Sequence, residues 1–169
     1  PTNPINNYGR TKLLGDKVCL KYNPKSIIIR TSWLYSSFGN NFVKKMIFLM
    51  HKNNELNVIN DQISSPTYAA DLAEVVISII KSKQWNPGIY NYSNRGEISW
   101  FDLANDIKLI YGFTNISINA ISSKDYPTKA KRPNYSLLDN SKIKKTFDIR
   151  QLNYKDRLKK CLKILKNES

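Results

Sequence analysis

Tyr8 and Lys12 stand four residues apart in the stretch NNYGRTKLLGDK, residues 6–17. In a helix the two side chains share a face, so the ammonium can lie beside the phenol oxygen. A unit charge about 5 Å away, at an effective dielectric near 20, is worth roughly 3 kcal/mol to a phenolate. A phenol so placed can give up and recover a proton near neutral pH, which is general acid chemistry. The spacing alone does not establish that role. With 10 tyrosines and a lysine at about one position in eight, about one Tyr-x-x-x-Lys is expected by chance.

Other reactive groups are few. The single histidine, His51, follows an apolar helical run in FLMHKNN and reads as a surface residue at a helix end. Cys19 and Cys161 are far apart in predicted helices. Cys161 shares an i, i+3, i+4, i+7 stripe with Leu158, Leu162 and Leu165, and both thiols read as core packing, not as a redox pair or metal ligands. Asp71 reads as a charge in the first turn of its helix. Asp61 and Gln62 read as loop-shaping residues.

The elements that would position these groups alternate. Residues 5–22 suit a helix. SIIIRTSWLY (26–35) is apolar without alternation, as in a buried parallel strand. A helix follows over NFVKKMIFLMHK, then a short strand at 56–61 and a loop in which Pro66 keeps Ser65 extended. AADLAEVVISIIKSK is an amphipathic helix, and residues 88–94 form another strand. Ser99 is placed to cap WFDLANDIKLIYG, with Asp102 three residues on. Residues 116–121 suit a strand, 122–140 a polar connection, and 153–166 a basic helix. Strand–helix alternation predicts an α/β protein. The six glycines are scattered, and no G-x-G-x-x-G turn is present.

Composition narrows the function. The net charge of +14 draws anions, but it is carried mostly by lysines dispersed along the chain, a bias expected of AT-rich coding. Arginine–aromatic interleaving of the kind that reads bases is missing, so nucleic acid is not the expected partner. An anionic small molecule, such as a nucleotide sugar, suits the same field. No apolar run reaches the roughly 18 residues of a membrane span. The opening PTNPINNYG reads as a loop entering a helix, as if the chain began inside a larger protein.

Five segments, in order, carry a resemblance: YGRTKLLGD, IIIRTSWLYSSFGNNFVKKM, VINDQISSPTYAADLA, GIYNYSNRGEISWFDLA and KRPNYSLLDNSKI. Together they resemble the C-terminal half of the dTDP-4-dehydrorhamnose reductase family, within the extended short-chain dehydrogenase/reductase superfamily. The Tyr-x-x-x-Lys marks the superfamily. The R-T-S-W strand end, the D-Q-x-x-x-P-T loop and the R-P-x-x-S-x-L segment mark the family.

That resemblance implies the end of a Rossmann-type domain at residues 1–33 and a mainly substrate-binding region at 34–169, with strand 88–94 returning to the Rossmann sheet. It implies that Tyr8 donates a proton to a 4-keto oxygen while NADPH (or NADH) supplies hydride, and that Lys12 stabilises the phenolate and binds the nicotinamide ribose. Arg30, Thr31 and Ser32 would contact the cofactor, and Trp33, Asn41 and Arg132 the dTDP-sugar, with the Arg132 guanidinium on the diphosphate. A third catalytic Ser/Thr and the glycine-rich loop would lie outside this sequence. Mg²⁺ would find its place only in the complete protein, and a homodimer and a cytoplasmic location are compatible with the family. Two alternatives stand beside this reading. One is a reductase or epimerase for another nucleotide sugar, and the other a non-enzymatic NADP-binding regulatory relative.

Overall fold

A computed structural model describes residues 2–126, 128 and 130–167. Their elements run α1 (Asn7–Tyr22), β1 (Ile27–Arg30), β2 (Leu34–Tyr35), α2 (Phe42–Lys52), β3 (Glu55–Ile59), β4 (Ile63–Ser64), β5 (Thr67–Tyr68), α3 (Ala69–Lys81), β6 (Gly88–Asn91), β7 (Ile98–Ser99), α4 (Trp100–Tyr111), β8 (Ser117–Ile121), α5 (Ser141–Phe147) and α6 (Tyr154–Asn167). The strands form four short pairs. β1 pairs in parallel with β6, β2 with β5 and β3 with β8, while β4 and β7 are antiparallel.

Two apolar cores result. The smaller lies on the β1–β6 pair, where Val75 and Ile79 of α3 and Ile143 of α5 pack with Tyr90 and Tyr92. The larger gathers Val43 and Met46 of α2, Leu103 and Ile107 of α4, and Leu158 and Leu162 of α6 around the β3–β8 pair. α4 has the strongest local signals. Ser99 and Asp102 form a reciprocal capping box at its start, worth about 1 kcal/mol. Gly112 closes it at φ +89°, a left-handed position that suits a residue without a Cβ.

The expected strand at 26–35 is divided. β1 stops at Arg30, Trp33 takes a left-handed φ of +44°, and β2 resumes at Leu34 against a different partner, β5. A run of apolar residues carries no signal for that turn. α5 follows the polar connection expected at 122–140 and occupies residues for which no element is expected from the sequence. Cys19 is a second correction. It is exposed, with its Sγ 3.4 Å from Ser26 Oγ, because α1 has no buried residue; Cys161 is fully buried as expected.

Asp71 does more than charge a helix start. It is 2% exposed and ties three segments together. Asn94 Nδ2 donates to its Oδ2 at 2.6 Å, and Arg157 Nη1 of α6 lies 3.6 Å from its Oδ1. Asn94 Oδ1 accepts from Tyr68 N at 2.7 Å, and Ser65 Oγ donates to Asn94 O. Burial holds the Asp71 carboxyl above the usual carboxylate range, against the lowering pull of Asn94 and Arg157. Among the described residues, no helix is long and apolar enough to cross a membrane.

Candidate active site

Asn6 starts the helix that carries Tyr8 and Lys12. Its backbone is extended, and its Oδ1 accepts from Gly9 N at 2.8 Å, an N-cap that satisfies one of the free amides of the first turn. The Lys12 ammonium then stands 5.6 Å from the centre of the Tyr8 ring. Both side chains are exposed, Tyr8 at 71%. Arg30, at the end of β1, fastens the helix. Its Nη2 lies 2.6 Å from Asp16 Oδ2 and its Nε donates to the same oxygen at 2.8 Å.

The chain past Arg30 forms the floor. Thr31 has a buried Oγ1 with no hydrogen-bond partner among the described residues. Ser32 Oγ donates to Ser65 O at 2.8 Å, and Thr67 N to Trp33 O at 3.2 Å. These bonds hold the turn that throws the Trp33 indole onto Trp100 of α4, with ring centres 3.6 Å apart and planes 13° from parallel. Phe42 closes against Trp100 at 4.5 Å.

Three cavities run in series across this floor. One of about 770 Å³ lies against Tyr8, Lys12, Arg30 and Thr31. The next, of about 600 Å³, shares Tyr8 and Thr31 with it and adds Ser32, Trp33, Trp100 and Arg132. A third, of about 360 Å³, shares Trp100, Gln62 and Arg132 with the second and is walled by Phe42, Lys45 and Val58. Tyr8 therefore sits at the first junction and Arg132 at the second.

Arg132 is carried by the long connection between β8 and α5, which is pinned at several points. Ser123 N donates to Asp61, and that backbone N–H chiefly holds the Asp61 carboxyl below the usual range. Ile63 N donates to Asn134 O at 2.7 Å and Ser136 N to Ile63 O at 2.9 Å. Asn6 Nδ2 donates to Lys131 O at 2.8 Å.

Of the residues singled out in the sequence, Tyr8, Lys12, Arg30, Thr31, Ser32, Trp33 and Arg132 all border this run of cavities. Asn41 does not. Its Oδ1 accepts from Lys44 N at 3.2 Å to cap α2, and its Nδ2 donates to Ser36 O at 2.8 Å. Trp100, Gln62 and Lys45 border the cavities without having been singled out as site residues. Trp100 was legible only as the first residue of a capped helix, since its stacking depends on how α4 crosses the Trp33 turn. His51 sits in the last turn of α2, edge-on to Phe113 at 4.8 Å. Among the described residues, no three His, Cys, Asp or Glu side chains gather to hold a metal.

Comparison with known proteins places this arrangement. The dTDP-4-dehydrorhamnose reductase of Sinorhizobium fredii is 40% identical over 163 residues, covering 92% of this chain and 55% of that protein. A dTDP-4-dehydrorhamnose reductase crystal structure from Clostridium acetobutylicum matches with a TM-score of 0.91 at 39% identity, covering 98% of this chain and 58% of that one. Another from Bacillus anthracis, in complex with NADP, matches with a TM-score of 0.87 at 33% identity, over 96% of this chain and 56% of that one. The chain thus spans about half the length of these relatives. Residues 1–167 match the family described as RmlD substrate binding domain, and with the fold and the order of the motifs in agreement, the chain belongs to that family.

Proposed function

We propose that a protein carrying this chain reduces the 4-keto group of dTDP-4-dehydro-L-rhamnose to dTDP-L-rhamnose with NADPH. The observation that carries this reading is the position of Tyr8, which borders both the cavity beside Lys12 and the cavity beside Trp33 and Arg132. A proton donor for a carbonyl must face cofactor and substrate at once, and this junction allows it. Residues 1–33 would close the Rossmann-type domain and 34–169 mainly hold the substrate, with β6, paired in parallel to β1, rejoining the Rossmann sheet.

The residues present fit one end of a dinucleotide. Thr31 leaves a buried hydroxyl without a partner, and the cavity of about 770 Å³ is within the range of small-molecule sites. Lys12 and the Arg30–Ser32 backbone would hold that end, and NADPH supplies the hydride when bound. The Tyr8 hydroxyl gives its proton to the 4-keto oxygen, and the neighbouring Lys12 ammonium stabilises the phenolate that remains. Trp33 offers a flat apolar wall to the sugar. Arg132, with Lys45 beyond it, offers cations to the diphosphate, where a guanidinium can bind two oxygens at once.

Tyr8→Phe in a protein of the relatives' full length tests the reading. The ring is preserved and the donor removed, so kcat falls about 10²–10⁴-fold while the fold persists. Near-normal turnover of that variant refutes the assignment.

A further inference from the structure

Asn6 makes two side-chain bonds that join otherwise separate parts of the site. Through Oδ1 it caps α1, accepting from Gly9 N at 2.8 Å, directly beside Tyr8 and three residues before Lys12. Through Nδ2 it donates to Lys131 O at 2.8 Å, across 125 positions of sequence. Lys131 immediately precedes Arg132, so this bond fixes the backbone from which the guanidinium projects. The Asn6 carbonyl is also engaged, accepting from Arg10 N at 3.1 Å. Every polar group Asn6 uses is therefore committed either to the start of the Tyr8 helix or to the Arg132 strap.

The surrounding packing is built to keep it there. A Cβ at Gly9 would lie 3.0 Å from Pro4 Cβ and 3.4 Å from Asn6 Oδ1. The glycine lets the entering segment fold back tightly enough for Asn6 to reach both partners. Asn6 also borders the middle cavity together with Tyr8 and Arg132.

We infer that Asn6 is a positioning residue that sets the Arg132 strap in register with the start of the Tyr8 helix, so that the diphosphate-binding cation and the proton donor face one ligand at a fixed separation. The inference rests on the reading of Arg132 given above. Asn is the side chain this task requires. It has an acceptor for the cap and a donor for the carbonyl, whereas Asp and Ser retain only the cap.

The test is calorimetric titration of a protein of the relatives' full length with thymidine 5′-diphosphate. Asn6→Asp keeps an N-cap acceptor but sets a carboxylate oxygen against the Lys131 carbonyl, and Asn6→Ser keeps the cap but cannot reach Lys131. Each should leave the thermal midpoint within about 2 °C of the parent chain and weaken binding about fivefold, within the range of one neutral hydrogen bond. Combined with Arg132→Ala, neither should weaken binding beyond Arg132→Ala alone, because Asn6 acts through the strap. If Arg132→Ala weakens binding and both Asn6 variants bind like the parent, the inference is overturned. Additive losses overturn it too, since Asn6 would then act independently of Arg132. If Arg132→Ala itself binds like the parent, it is the diphosphate role that fails, and the positioning role fails with it.

Discussion

Arg157→Met should expose how the two cores are joined. Arg157 comes from α6 and Asp71 from α3, and their side chains are 24% and 2% exposed. Methionine keeps most of the arginine stem's apolar contact, so the change removes mainly the charge. Taking one partner from a buried pair costs about 3–5 kcal/mol. With the contact at 3.6 Å and Arg157 partly wet, the low end, about 3 kcal/mol, is appropriate. At about 2–4 °C per kcal/mol for a chain of this size, the thermal midpoint should drop by about 6–12 °C at neutral pH. The pH dependence has a definite sign. Burial raises the folded-state affinity of Asp71 for its proton above the unfolded value, so the folded state gains protons that the unfolded state lacks. Stability from this group is present below the ordinary carboxylate range and is lost as pH rises through the raised value. Removing the Arg157 cation pushes the carboxyl further up, so the variant's deficit should shrink as the pH is lowered towards 4. Asp71→Asn in the same chain removes the unpaired charge and keeps an acceptor for Asn94. The double variant should recover at least half of the loss at neutral pH and lose the pH dependence. Calorimetric scans of the four chains between pH 4 and 8 decide it. A double variant no more stable than Arg157→Met would show that lost packing, not a stranded carboxylate, sets the cost.

Gly96→Ala should destabilise by about 2–4 kcal/mol. Its φ is +152°, and an added Cβ would lie 2.7 Å from Tyr154 Cε1 and nearer still to Cδ1, displacing a ring whose hydroxyl donates to Asp106 at 2.7 Å; an unchanged urea midpoint refutes this. The 169-residue chain should bind NADPH weakly or not at all, because it contains no glycine-rich turn to cradle a pyrophosphate. Micromolar affinity by calorimetry would refute that.

What the sequence made legible followed from local physics. Helical periodicity locates α2, α3, α4 and α6, and Ser99 marks the start of α4 as its cap, while the reciprocal bond from Asp102 is a finding of the structure. Tyr8 and Lys12 are legible as a pair, but their spacing is no rarer than chance, and only the order of the other motifs gives it a meaning. The misses needed information from distant segments. The Trp33 turn depends on β5 and Trp100, and a tryptophan at positive φ has no composition signal. Cys19 reads as packed because α1 is amphipathic, yet among the described residues no side chain of α1 is fully buried, and Cys19 lies on an exposed face. Asp71 looked like a helix-start charge because its arginine lies 86 positions further along the chain. Asn6 carries no local signal of its second bond, which spans 125 positions.

The Trp33–Trp100 stack also bears on affinity. A tryptophan free in a cavity surrenders rotamer entropy when something settles against it, a cost on the order of 0.5–1.5 kcal/mol for an immobilised side chain. Here the ring is already held, with its backbone fixed in a left-handed turn and its face laid 3.6 Å from another indole. That ordering was completed during folding. Whatever lies against the free face of Trp33 meets a rigid wall, and the heat and entropy of its binding should therefore report the ligand's own loss of freedom and little of the protein's.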